Sequence, residues 1–295
     1  GHACDHSRML PELGWVPRVA AGLLALGLVV LLIVRAARKD QREYRRFRRY
    51  RSTARRQAMM RRWLLESLVV FGGSSVVLLV LVHPLIAPLL ATTQALPPIA
   101  GLRDALAGPL GAGLLAGALI GLALLTVLGA RSARRDGGIV MVGDIAALLP
   151  RNRPELGWGA ALSVNAGVVE ELLFRLALPA LLVVVTGEPI SAFVLAALLF
   201  GALHAYQGWV GVVATTVVGL LFTALYVVSG SIGLAMLVHA LFDLRTLVVI
   251  PMAVYRVHEV PATVLFPRPL AVRTPPAQAE GEAEASADAG AGSGA

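Results

Sequence analysis

Seven ionisable residues stand inside otherwise apolar stretches in the second half of the chain. Glu170, Glu171 and Arg175 share one stretch, His204 ends the next, and His239, Asp243 and Arg245 lie in the last. Carboxylates and imidazoles together can supply what peptide hydrolysis needs, an activated water and a donor for the developing oxyanion. Spacing divides the labour. Glu171 and Arg175 are four apart with the acid N-terminal, the favourable order for a neutralising pair on one helix face. Glu170 is rotated about 100° from Glu171 and cannot share that arginine equally, which leaves it free to act as a general base. His239 and Asp243 are also four apart; the carboxylate can orient the imidazole, or both can face one site. His204 shares a face with Phe200.

Each of these residues also has a plainer reading. Glu171 and Arg175 suit a structural ion pair that holds a site together. A lone His204 at a helix end suits an interfacial histidine, and a lone His239 suits a hydrogen bond to neighbouring backbone. Two unpaired histidines, an unpaired Glu and an Asp on adjacent helices are a much rarer coincidence than any one of them. Other chemistries lack their residues. There is no HExxH pair, no GxSxG elbow and no Walker loop, and Ser163 and Ser191 have no base nearby in sequence. The single cysteine, Cys4, excludes a disulfide framework and any multi-cysteine metal site. His2, Cys4 and His6 alternate in a terminal segment read as a disordered end rather than a metal site. His83 precedes a proline near a helix end and reads as structural, and His258 and Glu259 read as solvated.

Buried ions of this kind need a particular solvent. Of 295 residues, 57% are hydrophobic and only 15% charged, against about 25% charged in soluble domains. That excludes a soluble enzyme and a disordered chain, and leaves an integral membrane protein. The expected class is all-α, with about seven transmembrane helices near 19–34, 64–90, 109–130, 158–185, 189–205, 210–228 and 231–250. An eighth would need residues 252–272, where Arg256, His258, Glu259 and two prolines argue for a loop. No basic segment precedes 19–34 and no small-residue cleavage site follows it, so it reads as a first span rather than a signal peptide.

Residues 35–62 hold thirteen of the 26 Lys and Arg residues, with Asp40 and Glu43 as the only acids. Between two apolar spans this reads as a cytoplasmic loop touching anionic headgroups, not as a nucleic-acid site. The first helix then starts outside, and seven spans leave the C-terminus cytoplasmic. The Ala- and Arg-rich composition suggests GC-rich coding, and the expected location is a bacterial plasma membrane. The expected organisation is an extracytoplasmic segment 1–18, a membrane scaffold 19–150 with the basic loop 35–62, a chemical module 151–250, and a cytoplasmic tail 251–295 that is disordered from about 274.

Glu-Glu-x-x-x-Arg at 170–175, Phe-x-x-x-His at 200–204 and His-x-x-x-Asp at 239–243 occur in that order on successive helices. This set resembles the CAAX protease and bacteriocin-processing (CPBP) family, relatives of the Ras-converting CAAX prenyl endopeptidase, over about 158–250. The resemblance implies an all-α membrane fold with a cavity, acting on a hydrophobic or lipidated peptide near its C-terminus. It implies Glu170 as the base that activates water, with His204 helping to hold that water. It implies His239 and Asp243 as oxyanion stabilisers, and Glu171 and Arg175 as shapers of the site. An ionised Asp243 cannot donate to an oxyanion, so it acts through His239, is protonated, or holds a metal. Glu170, His204, His239 and Asp243 could together hold Zn2+; the metal-free site is the favoured form. Two other classes fit the same polar cavity: a non-catalytic binding or immunity protein, and a transporter with Glu170 and His204 as a proton relay. The second lacks paired broken helices and an internal repeat. One feature resists a simple arrangement. If 189–205 and 231–250 both cross straight, His204 lies deeper toward the cytoplasm than His239; tilt or a half-length helix would bring them level.

Overall fold

The computed structural model describes residues 14–136, 139–140, 142–263 and 272–273. His2, Cys4, His6 and the tail from 274 lie outside the described residues. The architecture is a bundle of helices. α1 (Trp15–Arg35) passes through a π-helical turn (Ala36–Asp40) into α2 (Gln41–Arg48). α3 (Thr53–Ser67) passes through a second π-turn (Leu68–Gly72) into α4 (Gly73–Gln94). A short α5 (Pro97–Leu106) leads to α6 (Pro109–Asp136). α7 (Arg153–Glu171), a π-turn (Leu172–Ala177) and α8 (Leu178–Thr186) form one rod. α9 (Pro189–Ala202), α10 (Gly208–Ser229) and α11 (Ile232–Leu244) follow, and a last π-turn (Arg245–Val249) joins α12 (Ile250–Tyr255). Among the described residues the only extended pairing is a two-residue parallel bridge between Ile139–Val140 and Val272–Arg273.

Among the described residues, five helical stretches are long and apolar enough to cross a bilayer: Trp15–Arg48, Thr53–Gln94, Pro109–Arg135, Ala205–Ser229 and Ile232–Tyr255. Each of the seven expected spans overlaps a helical stretch, but the α7–α8 rod carries Glu170, Glu171 and Arg175, and α9 has only 14 residues. At 1.5 Å per residue α9 is about 21 Å long, short of the ~30 Å hydrocarbon core. Beyond α12 only a 3₁₀ turn (Val257–Glu259) follows before residue 264. Large apolar side chains such as Leu23, Val76, Leu124 and Leu221 point outward, as expected where lipid rather than water is the neighbour.

Residues 35–62 are not the loop the sequence suggested. They are helical except around Arg49–Ser52. The reason is amphipathicity: α2 buries Glu43, Tyr44 and Phe47 while Arg42, Arg45, Arg46 and Arg48 face outward. Arg56 is fully buried. Its Nε meets both carboxylate oxygens of Glu155 at 3.0 and 3.1 Å, its terminal nitrogens donate to the Ala147 and Leu149 carbonyls, and its guanidinium lies 4.1 Å from the centre of the Phe47 ring. The basic segment is thereby pinned to the start of α7.

Local sequence sets where the site-bearing helices begin and end. Asn152 caps α7, its side-chain oxygen accepting from the Glu155 N–H at 3.1 Å. Gly187 and Gly230 close α8 and α10 at φ 70° and 72°, a backbone state that costs other residues a Cβ clash. Glu188 and Ser231 then cap α9 and α11. On α7, Gly159, Ser163 and Gly167 recur every fourth residue and are all buried. A Cβ on Gly167 would stand 2.8 Å from the Ala240 Cβ and backbone N, and one on Gly159 would stand 3.0 Å from the Leu247 carbonyl oxygen. This small-residue ridge lets α11 lie directly against α7. Glu170 and Glu171 are one turn beyond Gly167, and His239 adjoins Ala240, so the contact brings the two motifs together.

Candidate active site

Glu171, Arg175 and His239 form a buried chain of charges. Glu171 Oε1 lies 3.1 Å from Arg175 Nη1 and 2.7 Å from His239 Nδ1. The side chains of Glu171 and Arg175 are fully buried and that of His239 is 5% exposed. An ionised carboxylate only accepts, so His239 donates from Nδ1 and its Nε2 is the atom left to face outward. That Nε2 lies 3.6 Å from Asp243 Oδ2 and 4.0 Å from Glu170 Oε2. Arg175 sits on the π-turn after α7, where its Nη2 donates to the Gly219 carbonyl at 3.1 Å. Its guanidinium lies 4.6 Å from the centre of Phe200 and 5.6 Å from that of Phe222. Phe222 stacks on the His239 ring at 4.8 Å, and Phe200 meets that ring edge-on at 6.1 Å. The imidazole is therefore held in plane by aromatics and in rotation by Glu171.

His204 is positioned differently. α9 stops at Ala202, so His204 occupies the turn into α10, and its Nδ1 lies 2.8 Å from the Phe200 carbonyl oxygen. That oxygen can only accept, which puts the proton on Nδ1 and leaves the Nε2 lone pair for another partner. The early stop of α9 thus leaves His204 on the wall of the same cavity as Glu170, His239 and Asp243.

A cavity of about 710 Å3 is lined by Glu170, Phe200, His204, His239 and Asp243. Glu171 and Arg175 do not line it; they stand behind its wall. The N-terminal half contributes the opposite wall, including Arg35, Tyr44 and Trp63 from the α1–α3 region and Thr126 and Ala130 from α6. That extends the part expected of the 19–150 scaffold. Arg35 is offset by Asp40 at 3.4 Å and Glu66 at 3.5 Å. Tyr44 donates to the Asp144 carbonyl oxygen, and its ring centre lies 5.2 Å from that of Tyr206. Tyr206 lies in turn 5.9 Å from His204. The sequence reading did not single out these wall residues. Nor did it use the four-residue spacing of Gly159, Ser163 and Gly167, a signal present in the sequence for the α7–α11 contact. His83 and His258 lie away from the cavity, on the Val80 carbonyl and beside Glu259 respectively.

Among the described residues no three His, Cys, Asp or Glu side chains converge with metal-binding geometry. The arrangement does offer a carboxylate, an imidazole acceptor and an imidazole donor around one space.

Comparison with known families adds to this geometry. The model of the family described as "Type II CAAX prenyl endopeptidase Rce1-like" matches residues 152–245. No curated protein and no solved structure matches the chain. The matched stretch opens at the cap of α7 and closes two residues after Asp243, so it contains all three motifs and the small-residue ridge. Over residues 152–245 this membrane protein is thus similar to the Rce1-like type II CAAX prenyl endopeptidases.

Proposed function

We propose that the chain is an intramembrane endopeptidase that cuts a hydrophobic or lipidated peptide near its C-terminus without a metal. The observation that carries this reading is the convergence of Glu170, His204, His239 and Asp243 on one cavity. Water enters between Glu170 and His204. The His204 Nε2 accepts one of its protons in a hydrogen bond, and Glu170 removes the other as the oxygen attacks the scissile carbonyl carbon. The tetrahedral oxyanion is met by His239 as the imidazolium, protonated at both nitrogens and flanked by Glu171 and Asp243, donating from Nε2. Its Nδ1–H stays on Glu171, and Arg175 balances that carboxylate. Collapse breaks the C–N bond, and the proton held by Glu170 goes to the departing amine. Asp243 acts through His239, next to whose Nε2 it stands. The exposed arginines of α2 lie at the cytoplasmic headgroups, with the N-terminus of α1 outside.

The test is mass spectrometry of peptide cleavage by purified protein in proteoliposomes. Wild type and Glu170→Gln meet one panel of prenylated and hydrophobic peptides. Removing a general base costs roughly 10²–10⁴-fold, so the variant should yield products at most at about a hundredth of the wild-type rate. Equal cleavage by the two proteins would sink the proposal.

A further inference from the structure

Arg245 is an intramembrane cation that the mechanism above does not use. It lines the same cavity as Glu170, His239 and Asp243. Its surroundings differ from those of three other enclosed arginines. Arg56 has Glu155, Arg175 has Glu171, and Arg35 has Asp40 and Glu66. Among the described residues no carboxylate lies within ion-pair distance of Arg245. Its partner is neutral: Nε donates to Thr126 Oγ1 on α6, and that hydroxyl spends its own proton on the Leu122 carbonyl at 2.6 Å. Thr126 thus fixes the guanidinium at one nitrogen. The two terminal nitrogens are neither bonded within the protein nor buried without a partner. They form the edge of the fork that grips a carboxylate with two parallel hydrogen bonds.

A charge held inside a membrane protein without a counter-ion is a binding site by default. The rest of the cavity selects what would bind. Glu170 and Asp243 repel a standing anion at the reacting end of the cavity, and Arg35, the other arginine on its wall, already has Asp40 and Glu66, so Arg245 is the arginine there left to receive a carboxylate. Arg245 follows Asp243 by two residues, about 3 Å along the helix axis, and an extended peptide advances about 3.3 Å per residue. An anion on Arg245 therefore falls within a few residues of a carbonyl seated between Glu170 and His239. We propose that Arg245 binds the free C-terminal carboxylate of the substrate and so measures the cut from the chain end. The proposal rests on the protease reading of this cavity and names the substrate class more narrowly.

The probe is a fluorescein-labelled peptide with a prenylated cysteine and a short apolar tail, made as the C-terminal acid and as the matched amide. Binding is read by anisotropy to the full chain in zwitterionic nanodiscs, in the Glu170→Gln background so that affinity stands apart from turnover. The acid should bind about 10- to 100-fold tighter than the amide, the usual range for a charged hydrogen-bonded contact. Arg245→Gln should reduce acid binding to the level of the amide and leave amide binding within about 2-fold, while Arg245→Lys should keep part of the preference. Equal binding of acid and amide by the protein that retains Arg245 overturns the proposal, and that comparison needs no folded variant. Survival of the preference in Arg245→Gln overturns it too. So does Arg245-dependent retention of phosphatidic acid with no preference for the peptide acid, which would assign the site to a lipid phosphate. Absence of cleavage by wild type defeats the protease reading alone; the acid–amide difference still decides the carboxylate site.

Discussion

Glu171 Oε1 stands 2.7 Å from His239 Nδ1 and 3.1 Å from Arg175 Nη1, joining two motifs 68 residues apart through one buried carboxylate. The relationship makes Glu171 the hinge of the site although it does not line the cavity. Replacing it with Gln keeps its volume but leaves Arg175 as an uncompensated buried cation, which costs about 3–5 kcal/mol. Glu171→Gln should therefore lower the thermal unfolding midpoint and remove activity. The double variant Glu171→Leu with Arg175→Met should regain most of the stability, because exchanging a buried ion pair for apolar volume is close to neutral. It should not regain activity, since His239 still lacks the carboxylate that orients it. Thermal unfolding in detergent and peptide cleavage, read side by side, separate the two effects; recovery of both together would show that the pair only supports the fold.

The second prediction concerns the helix contact that brings Glu171 to His239. A Cβ on Gly167 would stand 2.8 Å from the Ala240 Cβ, 2.8 Å from its backbone N and 3.0 Å from its Cα. Two of those atoms are backbone, so α7 and α11 must part. Displacing reacting groups by about 1 Å can cost ~10²-fold. Gly167→Ala should fold and lose roughly that much in kcat. Adding Ala240→Gly removes one of the three close atoms and should restore only a fraction. Wild-type kcat in Gly167→Ala would mean that this contact does not set the catalytic geometry.

Much of this site was legible in the sequence because its pairs are local. The i,i+4 spacing was sufficient for Glu171 with Arg175, and the three ordered motifs carried the family. What escaped was long-range. Nothing in the local spacing says that Glu171 also reaches His239, or that Arg56 in a run of thirteen basic residues pairs with Glu155. Charge counting treats such residues alike, and burial then selects one. The basic segment reads as a loop by composition but is helical because Tyr44 and Phe47 recur on one face. Helix counting by apolarity gave seven spans. Two of those stretches trade apolarity or length for the site itself, through Glu170, Glu171 and Arg175 on α7–α8 and the early stop of α9 before His204.

That selection among arginines gives a third prediction. Arg56 is fully buried against Glu155, whereas its neighbour Arg55 is exposed. Arg56→Met leaves a buried, unpaired carboxylate and should destabilise the protein by about 3–5 kcal/mol. Arg55→Met should change stability by no more than about 0.5 kcal/mol. The check is the thermal midpoint of each purified variant in the same detergent. Similar shifts for the two would mean that the basic run acts as a diffuse charge and not through one pinned residue.

A fourth prediction follows from the donor set. With no converging metal-binding triad among the described residues, the proposed hydrolysis should proceed through Glu170 alone as base. Dialysis against EDTA or o-phenanthroline should leave cleavage within about 2-fold of the untreated rate, where loss of a catalytic zinc would remove several kcal/mol of transition-state stabilisation. Inactivation by chelator that added Zn2+ reverses would return a metal to the site and recast Glu170 and His204 as its ligands.

The last prediction separates the ways in which Asp243 can serve. Its Oδ2 lies 3.6 Å from His239 Nε2, and its side chain is 30% exposed to the cavity. An ionised Asp holds the imidazole by charge, whereas an Asn at the same place could donate directly to the oxyanion from its amide. Both stabilise the transition state, one through His239 and one beside it. Asp243→Asn should therefore keep activity within about 10-fold of wild type. Asp243→Leu, similar in size but able neither to attract nor to donate, should lose about 10²–10³-fold, the usual cost of removing one oxyanion donor. Both variants should bind peptide as wild type does, so the losses should appear in kcat and not in KM. If Asn were as damaging as Leu, the carboxylate charge itself would be required and the oxyanion would rest on His239 alone.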